Sequence, residues 1–277
     1  MDADLLRVPV GPGAMHVARY GHGGRAILLI HGLGTSSFLW RGVAPELASA
    51  NLTSLAIDLF GHGESDRPYD GDFGIAAQAG YVDLALTALR IPRATLVGCD
   101  LGAAVAMRLA VTRPERVERL ALISPYHPND IPGDDVKLVQ RAVRRAPLRQ
   151  QRGVMGATPI LRPLLEASVD NPEAMPERLV ARYLAPYVGR DGLEQLLTIV
   201  RSIRDDDLSE EDLRAIRAPT VIVAGDRDRF LDMVTAERLA GTIPEARLER
   251  IPGAGRLIPE EATDELLSLL LAFVEGG

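Results

Sequence analysis

The 277-residue chain has one cysteine, Cys99, so no intrachain disulfide can form, and neither a cysteine-built zinc site nor dithiol redox chemistry is open to it. Lysine is equally scarce: Lys137 stands alone among 31 basic residues, a bias that fits GC-rich coding and carries no mechanistic weight. There is no excess of positive charge. Acidic residues number 38 and the net charge is −7, which argues against nucleic-acid or anionic-membrane partners, because phosphate binding needs clustered positive surface. No stretch approaches the roughly 18 uninterrupted apolar residues of a membrane span, and Met1 to Val10 lacks the basic start and apolar run of a secretory signal. These absences lead us to expect a cytoplasmic protein that needs no metal or cofactor and whose partner is a small molecule.

Apolar residues make up 47% and charged residues 25%, the profile of a globular protein with a sizeable core. Short apolar runs bounded by Gly, Pro, Asn or Asp alternate with segments of helical periodicity. This is the pattern of a mostly parallel sheet covered by helices, an α/β fold. Strands are expected at Ala26 to Ile30, Thr53 to Ile57, Thr95 to Gly98, Leu120 to Ser124 and Thr220 to Ala224, with a hairpin of Leu5 to Val10 and Ala14 to Arg19 ahead of them. Helices are expected at Ser37 to Ser49, Phe73 to Leu89, Leu101 to Thr112, Asp232 to Ala240 and Glu260 to Phe273. Between residues 126 and 212 helical pattern continues without a convincing strand. That segment reads as a helical cap inserted into a core formed by residues 1–125 and 213–277.

Gly98-Cys99-Asp100-Leu101-Gly102 lies between a buried strand and an Ala-rich helix. In a nucleophile elbow the middle residue sits on a strained turn, and small residues two positions either side avoid a clash. His31-Gly32-Leu33-Gly34 follows an earlier strand, Asp58 to Pro68 follows the next, and Gly225-Asp226-Arg227-Asp228 follows a late one. Taken together, these segments resemble the α/β-hydrolase superfamily over almost the whole chain. An aspartate at the elbow is similar to the epoxide hydrolase and haloalkane dehalogenase branch, whose carboxylate attacks carbon to form an ester.

The resemblance implies roles. Asp100 would be the catalytic carboxylate, the backbone amides of Leu33 and Leu101 the oxyanion hole, and Asp228 the late-strand acid. The family's histidine near the C terminus, which activates water to cleave the ester, falls on Arg256 in Ile251-Pro252-Gly253-Ala254-Gly255-Arg256. A guanidinium stays protonated and cannot accept a proton from water. The branch's tryptophan after the nucleophile is Leu101 here and its halide-holding asparagine is Leu33, which disfavours haloalkane dehalogenation.

The sequence leaves several roles open. Arg256 is either a replacement that holds an anionic part of a substrate or a late loss in a decaying enzyme, Asp100 is either catalytic or a remnant that merely tolerates positive φ, and Asp228 either orients a catalytic partner or pairs with Arg227, Arg229 or Arg256. His127, at the entrance to the cap, is either a replacement base or an exposed hinge residue. Tyr126, Tyr183 and Tyr187 are candidates to contact substrate or to pack. His31 and Trp40 are candidate pocket residues, with scaffold and core packing as the alternatives, and Cys99 should point into the core. The expectation is an enzyme for a small, mostly apolar molecule that carries out elimination, cyclisation or isomerisation. The alternatives are an epoxide-hydrolase-like enzyme using His127 or water as base, and a non-catalytic receptor.

Overall fold

The computed structural model describes residues 2–143, 156–204 and 207–276. Its core is an eight-stranded sheet in the order β1-β2-β4-β3-β5-β6-β7-β8. The strands are β1 (Asp4–Pro9), β2 (Ala14–Tyr20), β3 (Ala26–Ile30), β4 (Thr53–Ile57), β5 (Ala94–Cys99), β6 (Val117–Ile123), β7 (Thr220–Gly225) and β8 (Arg247–Ile251). β1 and β2 pair antiparallel and β2 joins β4 antiparallel, while every pairing from β4 to β8 is parallel.

Parallel strands covered on both faces bury both sets of side chains, so they read as continuous apolar runs. β5 and β7 are buried at every position. Leu96 and Val97 are wholly inaccessible, and burial of each stabilises the fold by about 1.5–3 kcal/mol. Among the helices, α1 (Ala44–Ser49) packs on the C-terminal Thr263–Glu275 helix, and α2 (Ile75–Ala88) packs along α3 (Leu101–Thr112).

The segment expected as one helix, Ser37 to Ser49, is a 3-10 turn at Ser37–Trp40 followed by α1, because Pro45 fits only the first turn of a helix. After β6 the chain leaves the sheet and returns at β7. On the way it forms α4 (Asp134–Val143), α5 (Thr158–Ala167), α6 (Glu177–Leu184), α7 (Gly189–Ser202) and α8 (Glu210–Ala215), and among the described residues there is no strand in this excursion. Residues 144–155 and 205–206 of the expected cap lie outside the described residues. α6 is strongly amphipathic and buries Leu179, Val180, Tyr183 and Leu184. β7 is followed by α9 (Met233–Thr242), and no described helix is long and apolar enough to cross a membrane.

Candidate active site

The site lies at the C-terminal ends of β3 and β5. Asp100 ends β5 and starts α3 with φ 57° and ψ −121°, a conformation that costs about 1–3 kcal/mol for a residue with a side chain. Its amide donates to Ile123 O at 2.9 Å and its carbonyl accepts from Ala103 N at 3.0 Å, so the turn is pinned from both sides. The two flanking glycines are steric necessities. A Cβ on Gly98 would fall 2.4 Å from Gly102 O, and one on Gly102 would fall 2.4 Å from Ile30 O.

The Asp100 carboxylate is 4% exposed, and each of its oxygens has a donor. Oδ2 accepts from Leu33 N at 3.0 Å, so the expected oxyanion amide of Leu33 holds the carboxylate itself. Gly32 permits this approach, since a Cβ there would sit 2.4 Å from Oδ2. Oδ1 accepts from Arg256 Nη2 at 2.6 Å. Arg256 is 2% exposed, and its guanidinium carbon lies 4.7 Å from the Tyr126 ring centre and 5.2 Å from that of Phe230. The two rings shield the cation from water and attract it through their π faces.

The segment carrying Arg256 is tied to the excursion. Glu261, in the short helix α10 (Ile258–Glu261), accepts from Gly255 N at 2.6 Å, Asp170 N at 2.7 Å and Asn171 N at 2.8 Å, and Leu257 N donates to Ser168 O at 2.9 Å. Its neighbour Glu260 accepts from the Tyr183 hydroxyl and, in bidentate fashion, from Arg41 at 2.7 and 2.6 Å. Tyr183 is thus an anchor between α6 and the core, and burial together with the Glu260 carboxylate raises its phenol pKa well above the ordinary value. Tyr187 is 2% exposed, and its hydroxyl has no hydrogen-bond partner among the described residues. Burial raises its pKa as well.

Asp228 does not take Arg227 as its ion partner. Its Oδ1 accepts from Phe230 N at 2.8 Å and Leu231 N at 3.1 Å. The neighbouring Asp226 binds Arg250 at 2.9 Å and Gly253 N at 2.7 Å, and Arg227 lies within 4.0 Å of it. Burial raises the Asp228 pKa above the ordinary carboxylate value, against the opposing pull of the Arg256 cation and the two amides.

His127 is fully buried rather than exposed at the hinge. Its Nδ1 accepts from Asn129 N at 3.2 Å and its Nε2 lies 3.6 Å from Glu210 Oε1, so both nitrogens face the hinge and α8. Burial, followed by the Arg238 cation, lowers its pKa. Its described contacts do not bring it to Asp100.

His31 is also fully buried. Its Nε2 accepts from Leu59 N at 3.0 Å, which puts the ring proton on Nδ1, 2.8 Å from Gly32 O. The histidine therefore braces the segment that presents Leu33 N. Trp40 is inaccessible in the core, and Cys99 points inward as expected.

Four contributors escape a reading of the sequence. Ser124, after β6, has φ 43° and donates to Arg256 O at 3.1 Å, Phe230 lies against the guanidinium, and Glu260 and Glu261, a turn further along the chain than Arg256, tie its segment to the core and to the excursion. The only available signal was the position of Ser124 at a strand's C-terminal end. Among the described residues no group of three or more His, Cys, Asp or Glu gathers that could hold a metal ion.

A family model for the alpha/beta hydrolase fold matches residues 25–161. The chain is 29% identical over 264 residues to an uncharacterized protein of Mycobacterium tuberculosis, covering 88% of this chain and 73% of the relative. It is 27% identical over 274 residues to a haloalkane dehalogenase of Mesorhizobium japonicum, covering 94% and 87%. The meta-cleavage product hydrolase of Pseudomonas fluorescens superposes with a TM-score of 0.82 at 22% identity, over 98% of each chain, a likeness of fold. With the strand order in place as well, the chain has the α/β-hydrolase fold.

Proposed function

We propose that the protein is an α/β-hydrolase-fold enzyme for a small, mostly apolar organic molecule, with Asp100 as a general acid or base in an elimination, cyclisation or isomerisation. The observation that carries this reading is Arg256 Nη2 on Asp100 Oδ1 at 2.6 Å. Attack on carbon leaves an ester, which needs a base to cleave it. Here one oxygen is held by an amide and the other by a group that cannot accept a proton.

Proton transfer leaves no ester to cleave. When a C–H bond next to a substrate carbonyl breaks, its proton passes to an Asp100 oxygen and the electron pair moves to the carbonyl oxygen. Asp100 becomes neutral as that oxyanion forms, so the Arg256 charge is released from the one and attracted to the other. Returning the proton to another carbon completes an isomerisation. A substrate with its own anionic group would also compete for Arg256.

Covalent hydrolysis is the second reading, favoured by the haloalkane dehalogenase relative and by Asp228, a buried carboxyl of raised pKa able to act as the water-activating base. The experiment that separates the two is mass spectrometry of the protein incubated with 1,2-epoxyhexane or 1-bromohexane. The proton-transfer reading expects no adduct on Asp100, and Asp100→Asn should abolish turnover of a carbonyl substrate. An ester on Asp100 that forms and is released would reject it. Binding without turnover by the wild type would indicate a receptor.

A further inference from the structure

A groove of about 820 Å³ lies away from Asp100, where the β1–β2 hairpin, the loop after β4 and α6 meet. That volume falls within the roughly 300–1,000 Å³ of small-molecule sites. Its charge runs against that of the chain. In a protein of net charge −7, four arginines (Arg7, Arg41, Arg67 and Arg182) line the groove with two carboxylates among the described residues, Asp58 and the exposed Glu64.

Asp58 is already engaged. It is buried, accepts from the amides of Ser37 and Glu64, and lies 3.1 Å from His16 Nδ1. Two of the arginines are neutralised as well, Arg7 by Asp66 and Arg41 by Glu260. Arg67 and Arg182 are exposed and make no ion pair with a carboxylate among the described residues. Arg67 donates to Gly63 O and, at 3.1 Å, to Pro186 O, whereas Arg182 lies over the Phe38 ring at 5.3 Å. Beside them Leu6, Tyr20 and Phe38 offer a partly buried apolar floor.

From this charge complementarity we infer that the groove binds a small amphipathic carboxylate. Its head group pairs with Arg67 and Arg182, and its apolar part lies along Leu6, Tyr20 and Phe38. The planar fork of a guanidinium matches a carboxylate, and the aromatic floor excludes water from the pair. Arg182 belongs to α6 and Arg67 to the core, so one ligand would bridge the two. The inference is independent of what Asp100 does.

Isothermal titration with decanoate tests it, with decanol and acetate as probes of each half of the ligand. Decanoate should bind at least about tenfold more tightly than either, and the affinity should fall as salt is raised from about 0.05 to 0.5 M. Arg182→Glu should weaken binding about tenfold or more and Arg182→Lys by less, since lysine keeps the charge but loses the fork. Arg182 is on the protein surface, and an unchanged circular dichroism spectrum would verify the fold of these variants. Asp100→Asn, titrated under conditions where its circular dichroism spectrum is that of the wild type, should leave the affinity unchanged. Decanol binding as well as decanoate, undiminished affinity in Arg182→Glu, or loss of binding in Asp100→Asn alone would each overturn the proposal.

Discussion

Arg256→Met removes the cation beside Asp100 and keeps an unbranched, adaptable side chain between Tyr126 and Phe230. The carboxylate left behind belongs to a residue that is 4% exposed in the wild type, and it keeps the Leu33 amide as a donor. Removing one partner of a buried ion pair costs about 3–5 kcal/mol, against about 0–1 kcal/mol for a pair on the surface. At 2.6 Å, with both side chains at 6% exposure or less, the pair belongs to the buried class. Since a domain's total stability is about 5–15 kcal/mol, this loss is a large share of the whole. In chains of roughly 150–250 residues each kcal/mol shifts Tm by about 2–4 °C, so a fall of about 6–20 °C is expected.

The complementary change is Asp100→Asn, which preserves shape and tolerates positive φ but strands the guanidinium instead. In the double variant neither charge remains. Urea unfolding of the four proteins should therefore give a double-variant loss at least about 2 kcal/mol smaller than the sum of the single losses. Strictly additive losses, or single losses below about 1 kcal/mol, would refute the claim that the pair is desolvated and coupled.

His62 supplies a prediction in pH. Burial, with His31 adding to it, pushes its pKa down to about 3, so the folded protein favours the neutral ring. Its contribution to stability is complete above the unfolded value of 6.5 and is lost as pH falls from 6.5 towards about 3, at up to about 1.4 kcal/mol per pH unit. Urea unfolding of His62→Gln should show a shallower acid limb in this window, and a slope equal to that of the wild type would count against it. Glu261→Ala deprives Gly255 N, Asp170 N and Asn171 N of their acceptor. A loss of about 1–3 kcal/mol is expected, with faster proteolysis near Asn171, and a variant as resistant as the wild type would show that Glu261 does not hold the two segments together.

The fold was legible wherever burial is complete. β3 and β4 match their expected ends, Ala26 to Ile30 and Thr53 to Ile57, because both faces of each strand are covered and the apolar run stops where the strand stops. β8 escaped because it is an edge strand of sequence RLERI, exposed at three of its five positions, and its charged residues hide the pattern. The C-terminal helix, expected from Glu260 to Phe273, is split at Ala262 (φ −135°) into α10 and a longer helix.

Of the site, Asp100, Leu33 and Arg256 could be located because each follows a motif bound to a strand end. What could not be located were contacts between distant segments. Tyr183 reaches Glu260 across 77 residues, and nothing in either neighbourhood marks the pairing. Likewise the alternating directions of the turn after β7 give Arg250 to Asp226 and two backbone amides to Asp228, a division that spacing alone does not reveal.

The aspartate at the elbow and the arginine in place of histidine form one electrostatic unit. Asp100 and Asp228 are both close enough to Arg256 to interact with its charge, Asp100 by contact and Asp228 through the field that opposes its burial. A neutral imidazole at position 256 would leave these carboxylates without a buried cation. Arg256→His is therefore expected to carry a ring that binds its proton more tightly than an isolated imidazole, because each nearby negative charge favours the charged form. Its pKa, read from the pH dependence of ring proton shifts by NMR, should lie above about 6.5. The ring would then be a poor base at neutral pH until one carboxylate is neutralised. Esterification of Asp100 does that, so an adduct formed in Arg256→His should be released faster than one trapped in the wild type. A ring that titrates at or below the ordinary value would show that the carboxylates do not act on position 256 together, and the unit would dissolve into two unrelated substitutions.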